Sequence, residues 1–494
     1  DGMTNHNIYK NIAQRTGGNI YIGVVGPVRT GKSTFIKRFS ESVLLPEIQD
    51  PYLKERTRDE LPQSASGKTI MTAEPKFIPE NGVEIRPDGA TRLSVRLIDS
   101  VGYMVSGAIG AEEDGKPRMV TTPWFDHEIP LTEAAELGTK KVMEEHCTIG
   151  LIVTTDGTVT DIPREDYADA EARSIRDMQA TGKPFLVLLN SRTPEAPETK
   201  ALSDRLSERY GVQVWPVNCM EMGQEDFTEL LRRLLYEFPI RELQFFLPGW
   251  VTALPAEHPV KTTLYEGLLR MAGETGKLSE APRVFTAPPE GSQASELHIR
   301  SIDPGSGVVE IALLFPEALF YQALSEQTGA DIPDDRALMN LLSRLTQMQK
   351  DYDRVSGALE QVRATGYGIV MPTTEEISLE VPEIVRKGGS YGVKLQASAP
   401  SIHMLRADIT TVLSPMVGDE RQSEDLVNYL LSEYEDDTEK LWESNIFGKS
   451  LFELVSEGLN TKLAKMPEDA RMKLRDTIQR IINEGSGGLI CIIL

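Results

Sequence analysis

Short apolar runs alternate with amphipathic stretches over the first half of the chain. Two segments, 132–145 and 167–181, carry apolar residues at helical spacing. The apolar runs have the length and composition of buried strands and cover residues 20–25, 148–154, 184–189 and 212–217, while residues 93–99 alternate as a strand and end in an acid. Buried strands separated by helices are typical of a mostly parallel sheet covered on both faces. The pattern therefore predicts a doubly wound α/β domain over residues 1–239.

The pattern changes near residue 240, where prolines interrupt a run of aromatic and apolar residues. Beyond this point we predict an α+β middle domain over residues 240–416. Its strand-like runs bracket helices and cover residues 296–302, 308–315, 376–381, 391–397 and 402–413. One helix carries apolar residues in strict steps of three and four from Leu338 to Val362. Such a seam packs either on the sheet of its own domain or on a long partner helix, which a neighbouring subunit can supply.

The last region, residues 417–494, has the pattern of a helical domain. Amphipathic spacing predicts three helices over residues 425–434, 446–463 and 467–484. A glycine-rich stretch then leads to the apolar end, Leu489 to Leu494. This end is too short to cross a membrane. It suits addition to a sheet edge or a groove of a partner, or completion of the core of its own domain.

Composition narrows the class of partner. The chain has 494 residues and a formal net charge of −23, which repels nucleic acid and anionic lipid. We therefore expect no nucleic-acid partner, and any membrane attachment should come through a protein. Residues 1–20 lack the apolar core of a signal peptide, and no stretch has the roughly 20 apolar residues needed to span a bilayer. The expected location is cytoplasmic.

The segment Gly26-Pro-Val-Arg-Thr-Gly31-Lys32-Ser33 has the spacing of a phosphate-binding loop. It follows an apolar strand and opens a helical stretch, which is the context that such a loop requires. Backbone N–H groups at the helix N-terminus can hold phosphates, while Lys32 reaches the β- and γ-phosphates and Ser33 holds Mg²⁺. Arg29 is either an internal arginine finger or a solvated side chain. The predicted nucleotide-binding residues are Gly26, Arg29, Thr30, Gly31, Lys32, Ser33, Thr34 and Gly102.

A second strand ends in an acid at Asp99 and is followed by a D-x-x-G turn that closes at Gly102. This arrangement is typical of GTPase-like, TRAFAC-type P-loop proteins, in which the acid holds Mg²⁺ and the glycine N–H follows the γ-phosphate. Between the two motifs lies a hydroxyl-rich segment in which a threonine sensor of γ-phosphate and Mg²⁺ should fall. We favour Thr72, with Thr69 as the competitor. The predicted metal ligands are then Ser33, Thr72 and Asp99.

The base-recognition motif of GTPases is incomplete. A guanine site needs Asn-Lys-x-Asp after a core strand, whereas this chain has Asn190, Ser191 and then Thr193 at the aspartate position. Without that carboxylate, nothing in the loop prefers guanine over adenine. The sequence therefore predicts ATP, with Mg²⁺, as the nucleotide.

Several segments together resemble the stage IV sporulation protein A family of spore coat ATPases. They are the phosphate loop and the runs 59–64, 67–72, 154–158 and 481–490, and the resemblance extends over essentially the whole chain. The resemblance implies an ATPase that polymerises on the forespore surface, on the mother-cell side, as the basement layer of the spore coat. It also implies other coat proteins as partners, and a small membrane-bound amphipathic peptide that the third region contacts.

The same resemblance implies catalytic roles for Lys32, Asp99 and Thr72. The family often has two adjacent threonines at the sensor, whereas this chain has Ala73 at the second position. Three function classes remain at this stage. The first is an ATPase whose turnover drives its own assembly, the second a GTPase-like switch that controls a separate effector without forming a polymer, and the third a scaffold that binds nucleotide without hydrolysis.

Overall fold

The computed structural model describes residues 5–62, 74–87, 90–106, 112–445 and 448–485. The chain divides into two compact units, Asp1–Asp334 and Asp335–Leu494. Both threonines proposed as sensors, Thr69 and Thr72, lie outside the described residues, as does the apolar end of the chain. Among the helices described, none is both long enough and apolar enough to cross a membrane.

The first unit contains the helices α1 to α11 and the strands β1 to β13. The helices are α1 (Asn5–Thr16), α2 (Lys32–Phe39), α3 (Pro51–Glu60), α4 (Leu131–Lys141), α5 (Arg164–Ala180), α6 (Pro197–Tyr210), α7 (Gln224–Leu235), α8 (Gly249–Ala253), α9 (Pro259–Gly273), α10 (Ala281–Val284) and α11 (Glu317–Thr328). The strands are β1 (Asn19–Val25), β2 (Lys76–Ile85), β3 (Leu93–Asp99), β4 (Glu112–Glu113), β5 (Lys116–Pro117), β6 (Met119–Val120), β7 (Ile129–Pro130), β8 (Ile149–Thr155), β9 (Phe185–Asn190), β10 (Val214–Val217), β11 (Glu242–Phe246), β12 (Glu296–Asp303) and β13 (Val308–Leu314).

Six strands form the main sheet, in the order β10-β9-β8-β1-β3-β2. Every neighbouring pair from β10 to β3 is parallel, while β2 pairs with β3 in the antiparallel direction. The five parallel strands follow the apolar runs of the sequence. The antiparallel edge strand β2 was not predicted, because a proline and a glycine interrupt its alternation and its register shifts between Ile78 and Val83.

Helices cover both faces of this sheet. Side chains of β1 alternate between two apolar clusters, with Ile22 and Val24 in one and Val25 in the other. The first cluster includes residues of α1, α2 and α7, and the second includes residues of α5 and α6. The prediction of a mostly parallel α/β sheet is confirmed. Because the strands are parallel, the carboxyl ends of β1, β3, β8 and β9 meet at one edge, where ligands bind in folds of this kind.

A second, three-stranded sheet has the order β11-β13-β12, with β11 parallel and β12 antiparallel to β13. Its core includes Val251 and Leu264 from α8 and α9, together with Val309 and Ile311 from β13. The predicted strands 296–302 and 308–315 are present as β12 and β13. Strand β11 was not predicted, because its sequence, Glu-Leu-Gln-Phe-Phe, lacks the pattern of a core strand. Its side chains are at most partly buried.

Over its described residues, 335–445 and 448–485, the second unit contains a long helix, short strand pairs and four further helices. Its strands are β14 (Tyr367–Val370), β15 (Ser378–Leu379), β16 (Glu383–Lys387), β17 (Ser390–Lys394), β18 (Ala397–Ser398) and β19 (Ile402–Leu405). Its helices are α12 (Asp335–Thr365), α13 (Glu420–Asp436), α14 (Thr438–Glu443), α15 (Leu451–Ala464) and α16 (Glu468–Glu484). The long helix α12 lies beside β14 and β19, which pair with each other.

Two predicted strands of this unit are much shorter than the sequence suggested. Run 402–413 ends as a strand at Leu405, because its partner β14 offers only four residues for pairing. Run 376–381 keeps only β15, since Thr373 begins a turn of 3-10 helix immediately before it. The third region is helical as predicted, and Ser450 sets the start of α15 by accepting a hydrogen bond from the Glu453 N–H at 3.2 Å.

Candidate nucleotide site

The loop between β1 and α2 depends on two glycines. Gly26 has φ 127°, and a Cβ there would lie 2.5 Å from the carbonyl oxygen of Val153. Gly31 has φ 102°, and its Cβ would lie 2.3 Å from Nδ2 of Asn190. Both positions therefore exclude other residues by backbone conformation and by space. The loop passes close to strands β8 and β9, and Lys32 lies in the first turn of α2, directly after the loop.

Lys32 is the central cation of the site. Its side chain is 6% exposed, and its Nζ donates to the carbonyl oxygen of Pro27 at 2.6 Å. Desolvation lowers the pKa of Lys32 to about 8, and the negative charge of Asp99 opposes this shift. A buried ammonium held by one carbonyl of its own loop is a favourable partner for a bound anion.

Asp99 ends β3 beside the phosphate loop. Desolvation raises its pKa to about 6, against the opposing effects of Lys32, Lys76 and the Ser100 N–H. Lys32 and Asp99 interact electrostatically, yet within the described part of the chain no ion pair of 4.0 Å or less joins them. The site thus holds an acid and a base that are both poorly solvated, and that a metal-bound phosphate can bridge.

The segment after Asp99 is tied to the phosphate loop by its backbone. The N–H of Tyr103 donates to the carbonyl of Gly26 at 3.0 Å, and the N–H of Val28 donates to the carbonyl of Tyr103 at 2.9 Å. Gly102 has φ 98°, and a Cβ there would lie 2.7 Å from Nζ of Lys32. In this structure the Gly102 N–H donates to Oγ1 of Thr139 at 3.2 Å.

The other predicted residues of the loop occupy different environments. Thr30 is buried, and its hydroxyl donates to the carbonyl of Pro27 at 3.1 Å, so its side chain supports the loop. Arg29 is partly exposed at φ 59°, and its carbonyl accepts from the Tyr167 hydroxyl at 3.3 Å. Ser33 and Thr34 are partly exposed on the first turn of α2. Ser33 therefore has the position and the oxygen that a Mg²⁺ ligand needs.

Asn190 has a role that the sequence analysis did not assign. Its Nδ2 donates to the carbonyl of Thr30 at 2.9 Å, and its Oδ1 accepts from the Cys219 N–H at 3.0 Å. The Thr155 hydroxyl donates to the backbone carbonyl of Asn190 at 2.9 Å. Asn190 therefore joins the ends of β8 and β9 to the phosphate loop. The sequence signals were its position at the end of a core strand and its match to the asparagine of the base-recognition motif, and neither indicated a contact with the phosphate loop.

The loops after β8 and β9 form the region where a base would be recognised. The Arg192 N–H donates to the hydroxyl of Thr158 at 2.9 Å, and the Thr193 N–H donates to the hydroxyl of Ser191 at 3.0 Å. Asp156 accepts from the N–H and the hydroxyl of Thr158, at 3.0 and 2.6 Å, and from Thr199 at 3.2 Å. Burial opposes ionisation of Asp156, but these donors, with Ser191, outweigh it and lower the pKa.

Comparison with known proteins identifies the family. Residues 3–239 match the model "Stage IV sporulation protein A, ATPase domain", residues 240–418 the middle-domain model, and residues 419–494 the C-terminal model. The chain is 46% identical over 490 residues to stage IV sporulation protein A of Clostridioides difficile strain 630, covering 99% of this chain and all of that protein. It is also 46% identical over 492 residues to the protein of that name from Bacillus subtilis strain 168, with complete coverage of both.

These matches define a sporulation protein with an ATPase domain. The chain belongs to the stage IV sporulation protein A family, and the resemblance seen in the sequence is confirmed.

Proposed function

We propose that this protein hydrolyses ATP with Mg²⁺ in a doubly wound, GTPase-like P-loop domain. The observation that carries the proposal is Lys32, buried at the start of α2, with its Nζ bonded to the loop carbonyl of Pro27 and a pKa of about 8. Phosphate oxygens would replace that single contact with several charge-assisted hydrogen bonds. The glycines at 26, 31 and 102 let the loop, Lys32 and the ends of the neighbouring strands lie close together, which brings the backbone N–H groups and the ammonium to one place.

The donors present fit a magnesium ion. Ser33 offers a hydroxyl on the first turn of α2, and Asp99 offers a carboxylate whose ionisation a cation would restore. Bound Mg²⁺ would supply charge stabilisation for the transferring phosphoryl group. Lys32 would orient the β- and γ-phosphates, and Thr72 or Thr69 would complete the metal site from the segment between α3 and β2.

The loop contacts favour adenine over guanine. Guanine N1–H and N2–H₂ need a carboxylate acceptor, and the motif position holds Thr193 in place of aspartate. Asp156 is the acid of the β8 loop that contacts this region, and its oxygens already accept hydrogen bonds from Thr158 and Thr199. Breaking these bonds to bind guanine would leave polar groups unpaired, which penalises GTP relative to ATP.

We further propose that ATP turnover prepares the protein to polymerise on the forespore surface as the basement layer of the spore coat. The proposed location is the mother-cell cytoplasm. The proposed partners are other copies of the chain, other coat proteins and a small membrane-bound amphipathic peptide that residues 419–494 contact. Support comes from the family and from full-length similarity to the two named relatives.

Single-turnover hydrolysis with enzyme in excess separates the function classes. We expect hydrolysis of ATP with Mg²⁺, at least about tenfold faster than GTP under the same conditions, since each 1.4 kcal/mol of discrimination gives a factor of ten. Equal or faster GTP hydrolysis would favour the GTPase-like switch. Tight ATP binding without hydrolysis, by folded protein that still assembles, would favour the scaffold that binds nucleotide without hydrolysing it.

A further inference from the structure

The N-terminal part of α12 carries a row of apolar side chains that the described residues leave partly or mostly exposed. We define the α12 seam as Leu338, Leu341, Leu345, Met348, Tyr352 and Val355, which follow one another in steps of three and four. Leu345, Met348 and Tyr352 have exposed fractions of 47, 56 and 55%. Apolar side chains repeated at this spacing are the signature of a helix that packs on another helix.

The C-terminal part of the same helix is already packed. Ala358 is 3% exposed, and the backbone of Gly368 in β14 lies against it so closely that a Cβ would approach the Ala358 carbonyl oxygen to 2.0 Å. This contact fixes α12 on the antiparallel pair β14–β19 and leaves the earlier turns of the helix extended beyond it. The sheet of its own unit therefore accounts for only one end of the apolar row.

Charged residues flank the seam in a specific order. Arg344 immediately precedes Leu345, and Asp351 immediately precedes Tyr352, so both occupy the same heptad position, g, when Leu338, Leu345 and Tyr352 are a positions. Both side chains are exposed. Asp351 accepts from Gln347 of the same helix at 3.2 Å, and no ion pair of Arg344 is found among residues 335–445 and 448–485.

These charges distinguish the possible arrangements of two such helices. In an antiparallel pair, where Leu345 of one copy packs on Met348 of the other, the g positions face each other. Arg344 then lies opposite Asp351 of the second copy, and the two-fold symmetry repeats this pair. In a parallel pair, g faces e, and Arg344 would lie opposite the uncharged Gln349. Opposite charges therefore match only in the antiparallel arrangement.

We propose that the α12 seam is a homotypic interface, at which two copies of this chain pair through antiparallel α12 helices held in register by two Arg344–Asp351 ion pairs. The seam is short, so the isolated contact is weak, with a dissociation constant of the order of 10 µM. The inference deepens the proposed self-assembly by naming one of its contact surfaces, and it requires neither nucleotide nor hydrolysis.

Sedimentation velocity of the full chain without nucleotide tests the interface. We expect a dimer that dissociates on dilution from about 100 to 1 µM. Arg344→Asp replaces two attractive pairs with two repulsive ones and should raise the dissociation constant about tenfold or more. Lys350→Asp is the matched control, because it makes the same charge change at an f position, away from the seam, and should leave the dimer unchanged.

Exchanging the charges of Arg344 and Asp351 distinguishes the loss of an ion pair from a folding defect. Arg344→Asp and Asp351→Arg should each dimerise poorly alone, yet a mixture should form a heterodimer in which both ion pairs are attractive. The double variant R344D/D351R should regain the parent's dimerisation. A monomeric parent at all concentrations, or charge variants that dimerise like the parent, would overturn the interface and indicate that another part of the chain or another protein covers the seam.

Cysteine pairing decides the orientation. In a Cys491→Ser background, oxidation of mixed Leu341→Cys and Tyr352→Cys chains should give a crosslinked heterodimer, because these positions share a layer in the antiparallel pair. Crosslinking of Leu341→Cys with itself would show a parallel pair and contradict the proposal.

ATP hydrolysis measured on the same samples separates the proposed interface from the proposed enzymatic function. Loss of dimerisation with ATPase activity retained would reject only the interface. A dimer without ATPase activity would reject only the enzymatic proposal.

Discussion

The side-chain amide of Asn190 donates to the backbone carbonyl of Thr30 at 2.9 Å and so joins the end of β9 to the phosphate loop. The same side chain accepts from the Cys219 N–H after β10. Thr30 and Cys219 are both fully buried, so water cannot replace Asn190 without opening the site. The shape of the phosphate loop is therefore maintained by a residue that sequence comparison with GTPases associates with the base.

Asn190→Ala should loosen the phosphate loop. It leaves the buried Thr30 carbonyl and Cys219 N–H unpaired, at a cost of about 1–3 kcal/mol for the stability of the domain. Differential scanning calorimetry of the full chain should show a lower midpoint for the transition that ATP raises. Asn218→Ala is the control, since the Asn218 side chain accepts a local hydrogen bond from the Met220 N–H. Equal effects of the two substitutions would contradict a bracing role.

Lys32→Ala should abolish useful nucleotide binding. The substitution removes the buried ammonium, and the loss of charge-assisted hydrogen bonds to two phosphates should weaken ATP binding by about 100-fold or more. Lys37→Ala, in the last turn of the same helix, makes the same change at a partly exposed position and should bind ATP like the parent. Equilibrium dialysis measures both. ATP affinity within a few-fold of the parent in Lys32→Ala would rule out the phosphate site.

The affinity for Mg²⁺-ATP should depend on pH in two directions. It should rise as pH increases through about 6, where Asp99 of the free protein loses the proton that competes with the metal. It should fall as pH increases through about 8, where Lys32 loses its charge. Titration calorimetry over this pH range measures both the rise and the fall in affinity.

Asp99→Asn is the control for this profile, because the titration of ATP itself is common to both proteins. The variant should lack the contribution of Asp99 to the rise in affinity near pH 6. Its fall in affinity near pH 8 should move to lower pH, since the charge that raises the pKa of Lys32 is gone. Identical profiles for parent and variant would exclude Asp99 from the metal site.

An ion pair between the partly exposed Arg164 and the buried Glu171 supports the loop after β8. Glu171 is 1% exposed and receives two hydrogen bonds from Arg164, at 2.8 and 2.9 Å. Arg164→Ala leaves a buried carboxylate without its cation and should destabilise the domain by about 3–5 kcal/mol. Arg176→Ala, at an exposed position on the same helix, should change stability by less than about 0.5 kcal/mol. Thermal unfolding compares them, and recovery in R164M/E171M would confirm that the unpaired charge is the cause.

The sequence carries stronger signals for the proposed chemistry of the site than for the contacts that hold the site together. Gly26, Gly31 and Lys32 were assigned from spacing, because phosphate binding demands a fixed order of glycines and a lysine at the start of a helix. The Asn190–Thr30 contact was not assigned, since it joins residues 160 positions apart through a side chain whose direction depends on the fold. Local motifs are visible in a sequence, whereas contacts between distant strand ends are not.

The same distinction applies to the fold. The parallel strands β1, β8 and β9 are almost wholly buried and appear as apolar runs, whereas β3 alternates, with Ser94 and Arg96 partly buried, so the sequence predicts all four well. The hairpin strands of the second unit are exposed, and their ends depend on the length of the partner strand, as the early end of β19 shows. The apolar spacing of α12 predicted a helix with a packing face but left its partner open.

The most direct test of the account asks whether hydrolysis at Asp99 drives assembly. Asp99→Asn should still bind ATP through the phosphate loop yet hydrolyse it at least about 100-fold more slowly, because the transition state loses its positioned metal. Sedimentation of parent and variant with ATP, with a non-hydrolysable analogue and without nucleotide gives the decision. We expect large polymers only for the parent with ATP, while weak α12 dimers persist in every sample. Equal amounts of polymer in all samples, or polymer from Asp99→Asn with ATP, would show that assembly does not require hydrolysis and would contradict the account.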